Sequence, residues 1–206
     1  MFKYTEESLL RDDKIVMHEW EHPIMFKHAE VVAKNGGDIL ELGFGMGISA
    51  DYIQEHDITS HTIIENNEVV FEKLKEWSKD KPNVHIIFGD WKTSLPRAIK
   101  FDGILKDTYG DKVGAVMFPH SILSACRVGT IVSFFNDYLK PQTIYQGVGG
   151  KFPLFLEDSD MDFHEVGIEV PEFVDYLTGD GNYFVPEWIV SESDTKENFN
   201  EKIKRK

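Results

Sequence analysis

The sequence predicts an α/β fold in which a mostly parallel seven-stranded sheet has helices on both faces. Three observations predict it. Short apolar runs alternate with helical patterns from residue 38 onward, a glycine-rich turn follows the first run, and two strand-like segments lie near the C-terminus. Alternating strands and helices imply a parallel sheet, and the two late segments can pair as an antiparallel hairpin.

The parallel part of the sheet is predicted from five apolar runs. They cover Asp38–Leu42, 61–65, Val84–Phe88, 101–105 and 130–135. Helices are predicted between them over 48–55, 68–77 and 116–126. In the second helix, Val70, Leu74 and Trp77 fall near helical spacing. Gly129 is predicted to stop the third helix before the last buried strand.

The C-terminal hairpin is predicted over 162–170 and 182–192, after a glycine-rich loop at 147–150. We interpret the 206 residues as a single domain because one core can hold a chain of this size. An N-terminal lid or helical segment is expected over 1–30, a cofactor-binding core over 37–140, and a substrate-side loop with the hairpin over 141–193. The charged end, 194–206, is expected to fray.

Composition narrows the class of ligand. No apolar run approaches the roughly 18 to 20 residues of a membrane span, and the N-terminus does not resemble a secretory signal, so we expect a cytoplasmic protein that does not bind membranes. The net charge of −14 would repel nucleic acid and suits a small cation, although it also fits a role in solubility alone. The lone Cys126 and the spacing of the eight histidines indicate no metal site.

A glycine turn follows the first predicted strand. Its sequence is Glu41-Leu42-Gly43-Phe44-Gly45-Met46-Gly47. Glycines there let a nucleotide-like ligand approach the backbone closely, although such glycines also occur in purely structural turns. Glu65 ends the second strand, 18 residues after Gly47, where an acid accepts hydrogen bonds from ribose hydroxyls in this class of fold.

Glu41 favours one nucleotide-like ligand over another. An anion at this position would face a diphosphate unfavourably, but it could favour the amino group or the sulfonium of S-adenosylmethionine. A dinucleotide would instead place its pyrophosphate at the following helix N-terminus. Gly89, Asp90 and Trp91 follow the third strand and could meet the adenine; Asp90 as a helix cap and Trp91 as a core residue are the structural alternatives.

Several blocks resemble the guanidinoacetate N-methyltransferase family. The most specific are Val16-Met17-His18-Glu19-Trp20-Glu21-His22-Pro23, the glycine turn, and Gly103-Ile104-Leu105-Lys106-Asp107-Thr108-Tyr109, with Ile63-Ile64-Glu65-Asn66-Asn67 and Tyr183-Phe184-Val185-Pro186 in support. The resemblance implies the Rossmann-like fold of class I methyltransferases, with S-adenosylmethionine as cofactor and S-adenosylhomocysteine as product.

The resemblance also implies roles for individual residues. Glu21 and Asp107 would hold the guanidino group, Met17 and Met25 would line the donor site, and Asn66 and Asn67 would lie beside the ribose acid. Apart from the resemblance, Tyr109 could wall the pocket or pack in the core.

The chain departs from the family at three places. Lys106 stands where a tyrosine is expected and Asp90 where a leucine is expected. Asn136-Asp137-Tyr138 replaces an Asn-Leu-Thr-Ser stretch whose last residues hold the substrate carboxylate. Asn136 and Asp137 are kept as substrate-binding candidates. Asp137 is either an amine-binding group or a solvated loop residue.

The chemistry of a guanidinium explains why two carboxylates are expected. The cation is a planar fork of N–H donors that carboxylates can clamp. It must lose a proton before it attacks a methyl group, so we assign Asp107 as the base and Glu21 as the orienting group. The sequence thus predicts N-methylation of a small guanidino compound such as arginine, agmatine or guanidinoacetate, and it is compatible with a homodimer. An NAD(P)-dependent oxidoreductase and a non-catalytic S-adenosylmethionine-binding module are the alternatives.

Overall fold

The computed structural model describes residues 1–96, 98–110, 121–136, 161–174 and 181–194. Its strands are β1 (Phe2–Tyr4), β2 (Ser8–Arg11), β3 (Lys14–His18), β4 (Asp38–Leu42), β5 (Ser60–Glu65), β6 (Val84–Phe88), β7 (Phe101–Lys106), β8 (Cys126–Phe134), β9 (Met161–Gly167) and β10 (Asn182–Ile189). Its helices are α1 (His22–Ala33), α2 (Ile48–Gln54), α3 (Glu68–Ser78) and α4 (Trp91–Ser94).

Seven strands form one sheet in the order β6-β5-β4-β7-β8-β10-β9. Strands β4 to β8 pair in parallel, and β10 pairs antiparallel with both β8 and β9. The predicted fold class is therefore confirmed, including the C-terminal hairpin. Because β4 is the middle one of the five parallel strands, the glycine turn that follows it emerges at the centre of their carboxyl edge.

The strand before the hairpin begins earlier than predicted. Residues 123–125 form a 3-10 turn, and β8 starts at Cys126 and runs through Gly129, so the predicted helix stop at Gly129 is wrong. Gly129 has φ +90° and lies where the β7–β8 register is irregular. A glycine with positive φ fits a bulge in a strand as well as a helix end, and the sequence pattern does not distinguish the two.

Alternation along β4 decides which side chains lie on each face of the sheet. Leu40 and Leu42 belong to one apolar core, together with Trp91 of α4. Ile39 points to the other face and packs in a second core that includes residues of α1 and Ile53 of α2. Helices therefore cover both faces. Within the described part of the chain, no helix has both the length and the apolar composition that a membrane span needs.

The N-terminal residues form a three-stranded antiparallel sheet of order β1-β2-β3, which the sequence analysis does not predict. Strands β2 and β3 are joined by Asp12 and Asp13, whose φ angles of 50° and 63° match the tight turns that favour hairpins. The small sheet packs on the glycine turn, since the Tyr4 hydroxyl donates to the Gly45 carbonyl at 2.6 Å. After β3, a 3-10 helix over Glu19–Glu21 leads into α1, which begins at His22.

Candidate active site

A cavity of about 230 Å³ lies at the carboxyl edge of the large sheet. Four segments that follow β4, β5, β6 and β7 form its floor and sides, and the N-terminal sheet contributes apolar side chains. The described residues that line it are Phe2, Leu9, Val16, Met17, Gly43, Gly45, Ile64, Glu65, Asn66, Asn67, Val70, Gly89, Trp91, Lys92, Asp107, Thr108, Tyr109 and Gly110. This is the place at which open α/β sheets bind their ligands.

The glycine turn brings the segment after β7 against β4. Gly43 has φ +91°, and a Cβ on it would stand 1.9 Å from the carbonyl oxygen of Asp107. The Asp107 amide also donates to the Leu42 carbonyl at 2.9 Å. A side chain at residue 43 would therefore push Asp107 away from the turn, so this glycine permits the close approach that puts Asp107 on the cavity.

Glu65 forms the acidic wall between β4 and β5. Its carboxylate accepts the Phe44 amide at 3.0 Å and the Asn67 amide at 2.7 Å, and the residue is only 7% exposed. Two carboxylate oxygens offer about four lone-pair sites, so the same group can accept further hydrogen bonds from a ligand. The pKa of the neighbouring Tyr4 hydroxyl is raised, first because that hydroxyl is itself buried and second because Glu65 is negatively charged.

Asp107, Thr108 and Tyr109 continue from β7 along the opposite wall. Asp107 is partly buried and lines the cavity. Tyr109 is about half exposed, and the Arg11 guanidinium lies 5.8 Å from its ring centre and 5.7 Å from that of Phe2. Arg11 thus links the N-terminal sheet to the residues that follow β7 by cation–π contacts.

Many of the predicted site residues meet in this cavity. Those that line it are Met17, Gly43, Gly45, Glu65, Asn66, Asn67, Gly89, Trp91, Asp107 and Tyr109. The described residues that were predicted but do not line it are Glu21, Met25, Glu41, Phe44, Met46, Gly47, Asp90 and Asn136. Asp137 lies outside the described residues.

Glu41 does not point into the cavity. The residue is fully buried, its carboxylate accepts the Ser49 hydroxyl, and it lies 3.0 Å from Nε2 of His61. Strand alternation explains the difference, because residue 41 shares the face of Ile39, under α2, rather than pointing out from the sheet edge. In the structure the Glu41 carboxylate thus contacts side chains of the fold, and its contact with a donor amino group or sulfonium stays a prediction.

Asp90 acts as a helix cap. Its carboxylate accepts the Lys92 amide at 2.9 Å at the start of α4, and it also lies 3.2 Å from the Lys92 ammonium. The structural alternative of a helix cap is therefore present, and the contact with adenine stays a prediction. Trp91 is buried in the core, as its structural alternative expects, and it also lines the cavity.

Four other residues that were predicted to bind the cofactor lie outside the lining of the cavity. Met25 and Phe44 are core residues, and the Phe44 ring packs 5.4 Å from that of Trp77. Met46 packs against the same core, and its amide donates to the Met17 sulfur at 3.2 Å. Gly47 begins α2 with φ +85°. The Phe44 and Met46 side chains thus pack into the core, while the turn meets the cavity through Gly43 and Gly45.

The two remaining candidates on the substrate side are buried. Glu21 is 2% exposed, and its Oε1 accepts the His18 amide at 2.9 Å in a capping box. Asn136 follows β8 and donates its amide N–H to the Tyr183 hydroxyl at 2.9 Å. Asn136 follows β8 of the large sheet and Glu21 follows β3 of the N-terminal sheet, and neither lines the described cavity.

Sequence reasoning missed the apolar residues of the N-terminal sheet and the hydroxyl of Thr108. Phe2, Leu9 and Val16 line the cavity, and Thr108 lies between two residues that were identified. Two short apolar runs, within Ser8–Arg11 and Lys14–His18 and separated by two aspartates, were the available signal for a hairpin. The Thr108 hydroxyl is buried and has no hydrogen-bond partner among the described residues.

The sheet order and the cavity at its carboxyl edge define a Rossmann-like fold of the class I methyltransferase type. Solved structures agree on this fold. N-methyltransferase NodS from Bradyrhizobium japonicum WM9 aligns with a TM-score of 0.62 at 14% identity, covering 89% of this chain and 100% of that one. Spermidine synthase from Thermotoga maritima aligns with a TM-score of 0.62 at 14% identity, covering 95% and 75%.

Comparison of the sequence with known proteins shows the family to which the chain belongs. The family model for guanidinoacetate N-methyltransferase matches residues 2–118, more than half of the chain, and the chain belongs to this family. Similar proteins include protein arginine N-methyltransferase 2 of Yarrowia lipolytica, 33% identical over 81% of this chain. The protein of the same name from Aspergillus fumigatus is 30% identical over 91% of this chain. The chain spans 37% and 46% of the lengths of these two relatives.

Proposed function

We propose that this chain is an S-adenosylmethionine-dependent N-methyltransferase that transfers a methyl group to a guanidino nitrogen. The observation that carries the proposal is that Glu65 and Asp107 line one cavity together with the glycine turn. The Glu65 carboxylate is suited to ribose hydroxyls, and the Asp107 carboxylate is suited to a cation beside them. Family membership and the names of the relatives support this activity over a dinucleotide oxidoreductase.

The residues present fit S-adenosylmethionine. Glu65 offers acceptors beside the backbone of Asn66 and Asn67, and Trp91 and Val70 add apolar surface for a flat base. Asp107, beyond Gly43, supplies the negative charge that a sulfonium and an amino group would favour. The sulfonium would present a methyl group that a nitrogen lone pair can attack.

The acceptor is proposed to be a guanidinium, either in a small molecule or in an arginine side chain. The net charge of −14 favours a cation, and Asp107 follows β7 at the edge where the donor's methyl group would lie. The relatives are named as protein arginine N-methyltransferases, which supports arginine itself as the recognised group. The small guanidines expected from the sequence have the same functional group.

Asp107 is proposed to act as the general base. A guanidinium with a pKa above about 12 has no lone pair to offer, so one N–H proton must be removed as the N–C bond forms. The Asp107 carboxylate would hold that N–H by a charge-assisted hydrogen bond and accept its proton. The nitrogen then keeps the electron pair with which it attacks the methyl group.

Glu21 is proposed as the second carboxylate of the clamp. Support comes from its burial and from its position shortly after Met17, a residue of β3 that lines the cavity. A buried carboxylate is favourable where a bound cation neutralises it. We expect E21Q to raise KM for the acceptor more than it changes the affinity for S-adenosylhomocysteine. Equal loss of both would point to a purely structural cap.

The decisive experiment supplies S-adenosylmethionine with arginine, agmatine, guanidinoacetate and an arginine-containing peptide in parallel. Mass spectrometry would locate any added methyl group. The expected result is methylation of a guanidino nitrogen in at least one acceptor. The matched controls lysine, putrescine and glycine carry an amine in place of the guanidino group and should receive no methyl group. Preference for agmatine over guanidinoacetate would favour the proposed amine-binding role of Asp137. No methylation of any guanidine, under conditions where S-adenosylhomocysteine binds, would contradict the proposed activity.

A further inference from the structure

The Tyr183-Phe184-Val185-Pro186 motif lies on β10, away from the cavity, yet its groups contact the residue that follows β8. The Asn136 backbone amide donates to the Tyr183 hydroxyl at 2.9 Å. The Asn136 side-chain nitrogen donates to the same hydroxyl at 3.1 Å and to the Phe184 carbonyl at 3.2 Å. The motif therefore holds Asn136 at three points.

A second set of contacts continues from the Tyr183 hydroxyl into the core. His28 of α1 is fully buried, with Nε2 at 3.5 Å from the Tyr183 hydroxyl and Nδ1 at 2.7 Å from the Ser133 hydroxyl. Ser133 in turn donates to the Pro186 carbonyl at 2.5 Å. Burial lowers the pKa of His28 to about 3, so its ring is neutral at ordinary pH.

The Pro186 carbonyl determines which groups donate and which accept in the hydrogen bonds of Ser133, His28 and the Tyr183 hydroxyl. A carbonyl oxygen can only accept, so the Ser133 hydroxyl must donate to Pro186 and accept from Nδ1–H of His28. The neutral ring then has an unprotonated Nε2, which accepts from the Tyr183 hydroxyl. That hydroxyl consequently turns its lone pairs towards the two N–H groups of Asn136.

The same reasoning fixes the orientation of the Asn136 side chain. The Phe184 carbonyl is an acceptor, so the amide nitrogen must face it and the amide oxygen must point the other way. An amide oxygen has two lone pairs and can accept a ligand N–H in addition to any other donor. The group that Asn136 can offer a ligand is therefore an acceptor.

Strand register puts this acceptor at the edge of the sheet. Lys106 of β7 pairs with Phe134 of β8, and the Phe135 amide donates to the Lys106 carbonyl at 2.9 Å. Asn136 thus follows Phe134 as Thr108 follows Lys106, and it emerges at the same edge as Asp107. An oxygen acceptor at this edge suits the N–H groups of a cation and disfavours a carboxylate.

We infer that Tyr183 is a positioning residue for the acceptor substrate: it holds Asn136 so that the amide oxygen accepts an N–H of the guanidino substrate. This inference rests on the proposed function. It also gives the Tyr-Phe-Val-Pro motif a role, since the Tyr183 hydroxyl and the Phe184 carbonyl hold Asn136 directly and the Pro186 carbonyl orients the network.

The test compares Y183F with Y52F, because each removes one phenolic oxygen and Tyr52 lies on α2 outside the network, where its hydroxyl is 2.9 Å from the His22 ring. Methyl transfer is measured with agmatine and with an arginine-containing peptide, and S-adenosylhomocysteine binding by calorimetry. We expect Y183F to raise KM for the better acceptor about tenfold, the loss of roughly one buried hydrogen bond. Its S-adenosylhomocysteine affinity and all Y52F values should stay within about twofold of the parent.

Two further measurements keep the inference testable if Y183F does not fold. N136A should raise the same KM without changing S-adenosylhomocysteine affinity. In the parent chain, ¹⁵N spectra of histidine should show His28 neutral with its hydrogen on Nδ1, assigned by loss of the signal in H28Q. A hydrogen on Nε2, or equal KM values for Y183F and Y52F, would overturn the inference. If the parent methylates no guanidine, the proposed function fails, while the histidine spectra still decide the direction of the network.

Discussion

The two halves of the carboxyl edge are built differently. Around β4 and β5, the site depends on backbone, with Gly43 in close contact with Asp107 and amide groups donating to Glu65. Around β8 and β10, it depends on side chains, with Asn136 held by Tyr183 and a buried histidine behind it. The first half should thus be sensitive to added atoms, and the second to lost hydrogen bonds.

The largest effect is expected where the two halves meet, at Asp107. D107N keeps the shape of the side chain but removes the base, so kcat should fall about 10²- to 10⁴-fold, the usual contribution of a general base. S-adenosylhomocysteine affinity should change far less. Steady-state kinetics would check this, with D80N, the same change at an exposed position after α3, as the matched control. A D107N enzyme with parental kcat would remove Asp107 from the chemistry.

Gly43 tests the backbone-built half. An alanine there would combine positive φ with a Cβ 1.9 Å from the Asp107 carbonyl oxygen. At Gly129 the φ is +90°, but among the described residues no atom beyond the chain neighbours lies within 4 Å of an added Cβ. G129A should cost about 1 to 2 kcal/mol of unfolding free energy for the left-handed backbone. G43A should cost more than about 3 kcal/mol and also weaken S-adenosylhomocysteine binding. Urea denaturation of both variants measures the difference, and equal costs would mean that the close approach is unimportant.

A comparison of variants at Glu65 and Glu41 distinguishes effects on ligand binding from effects on folding within one region. Both are buried, yet only Glu65 lines the cavity. E65Q should weaken S-adenosylhomocysteine binding by about 1.5 to 3 kcal/mol, the range for hydrogen bonds to charged groups. E41Q should instead lower the free energy of unfolding by a similar amount, because its contacts are Ser49 and His61. Calorimetry and denaturation on both variants decide between these roles, and a binding defect confined to E41Q would reverse the assignment.

The smallest effect concerns pH and the side-chain-built half. The pKa of His28 falls from 6.5 to about 3 on burial, so between these values the unfolded chain binds more protons than the folded one. Stability should therefore fall as pH drops below about 6.5, with a slope approaching 1.4 kcal/mol per pH unit from this residue. H28Q should remove that contribution, as denaturation at pH 7.5, 6 and 5 would show. Parallel curves for parent and H28Q would mean that His28 is not buried in neutral form.

The same contrast explains what the sequence could reveal. Residues of the backbone-built half lie close together in the chain, so the glycine turn and the distance to Glu65 predict the fold and the position of that acid. The contacts of Glu41 with Ser49 and His61 could not be predicted, because a short motif does not show which face of the sheet a strand residue occupies. The network around Asn136 joins His28, Ser133 and Tyr183, which are far apart in sequence, and no local pattern predicts such contacts.

The N-terminal sheet was missed for a different reason. Its strands are three to five residues long, and the hairpin turn uses Asp12 and Asp13 at positive φ in place of the usual glycine or asparagine. Tyr4 and Arg11 act through tertiary contacts with Gly45 and Tyr109, so their part in closing the cavity becomes visible only in the folded chain.

The central claim is that the cavity between Glu65 and Asp107 holds the methyl donor, and calorimetric titration of the chain with S-adenosylhomocysteine and with NADH tests it most directly. The account predicts stoichiometric binding of S-adenosylhomocysteine, weakened in E65Q, and no binding of NADH. Binding of NADH with none of S-adenosylhomocysteine would contradict it.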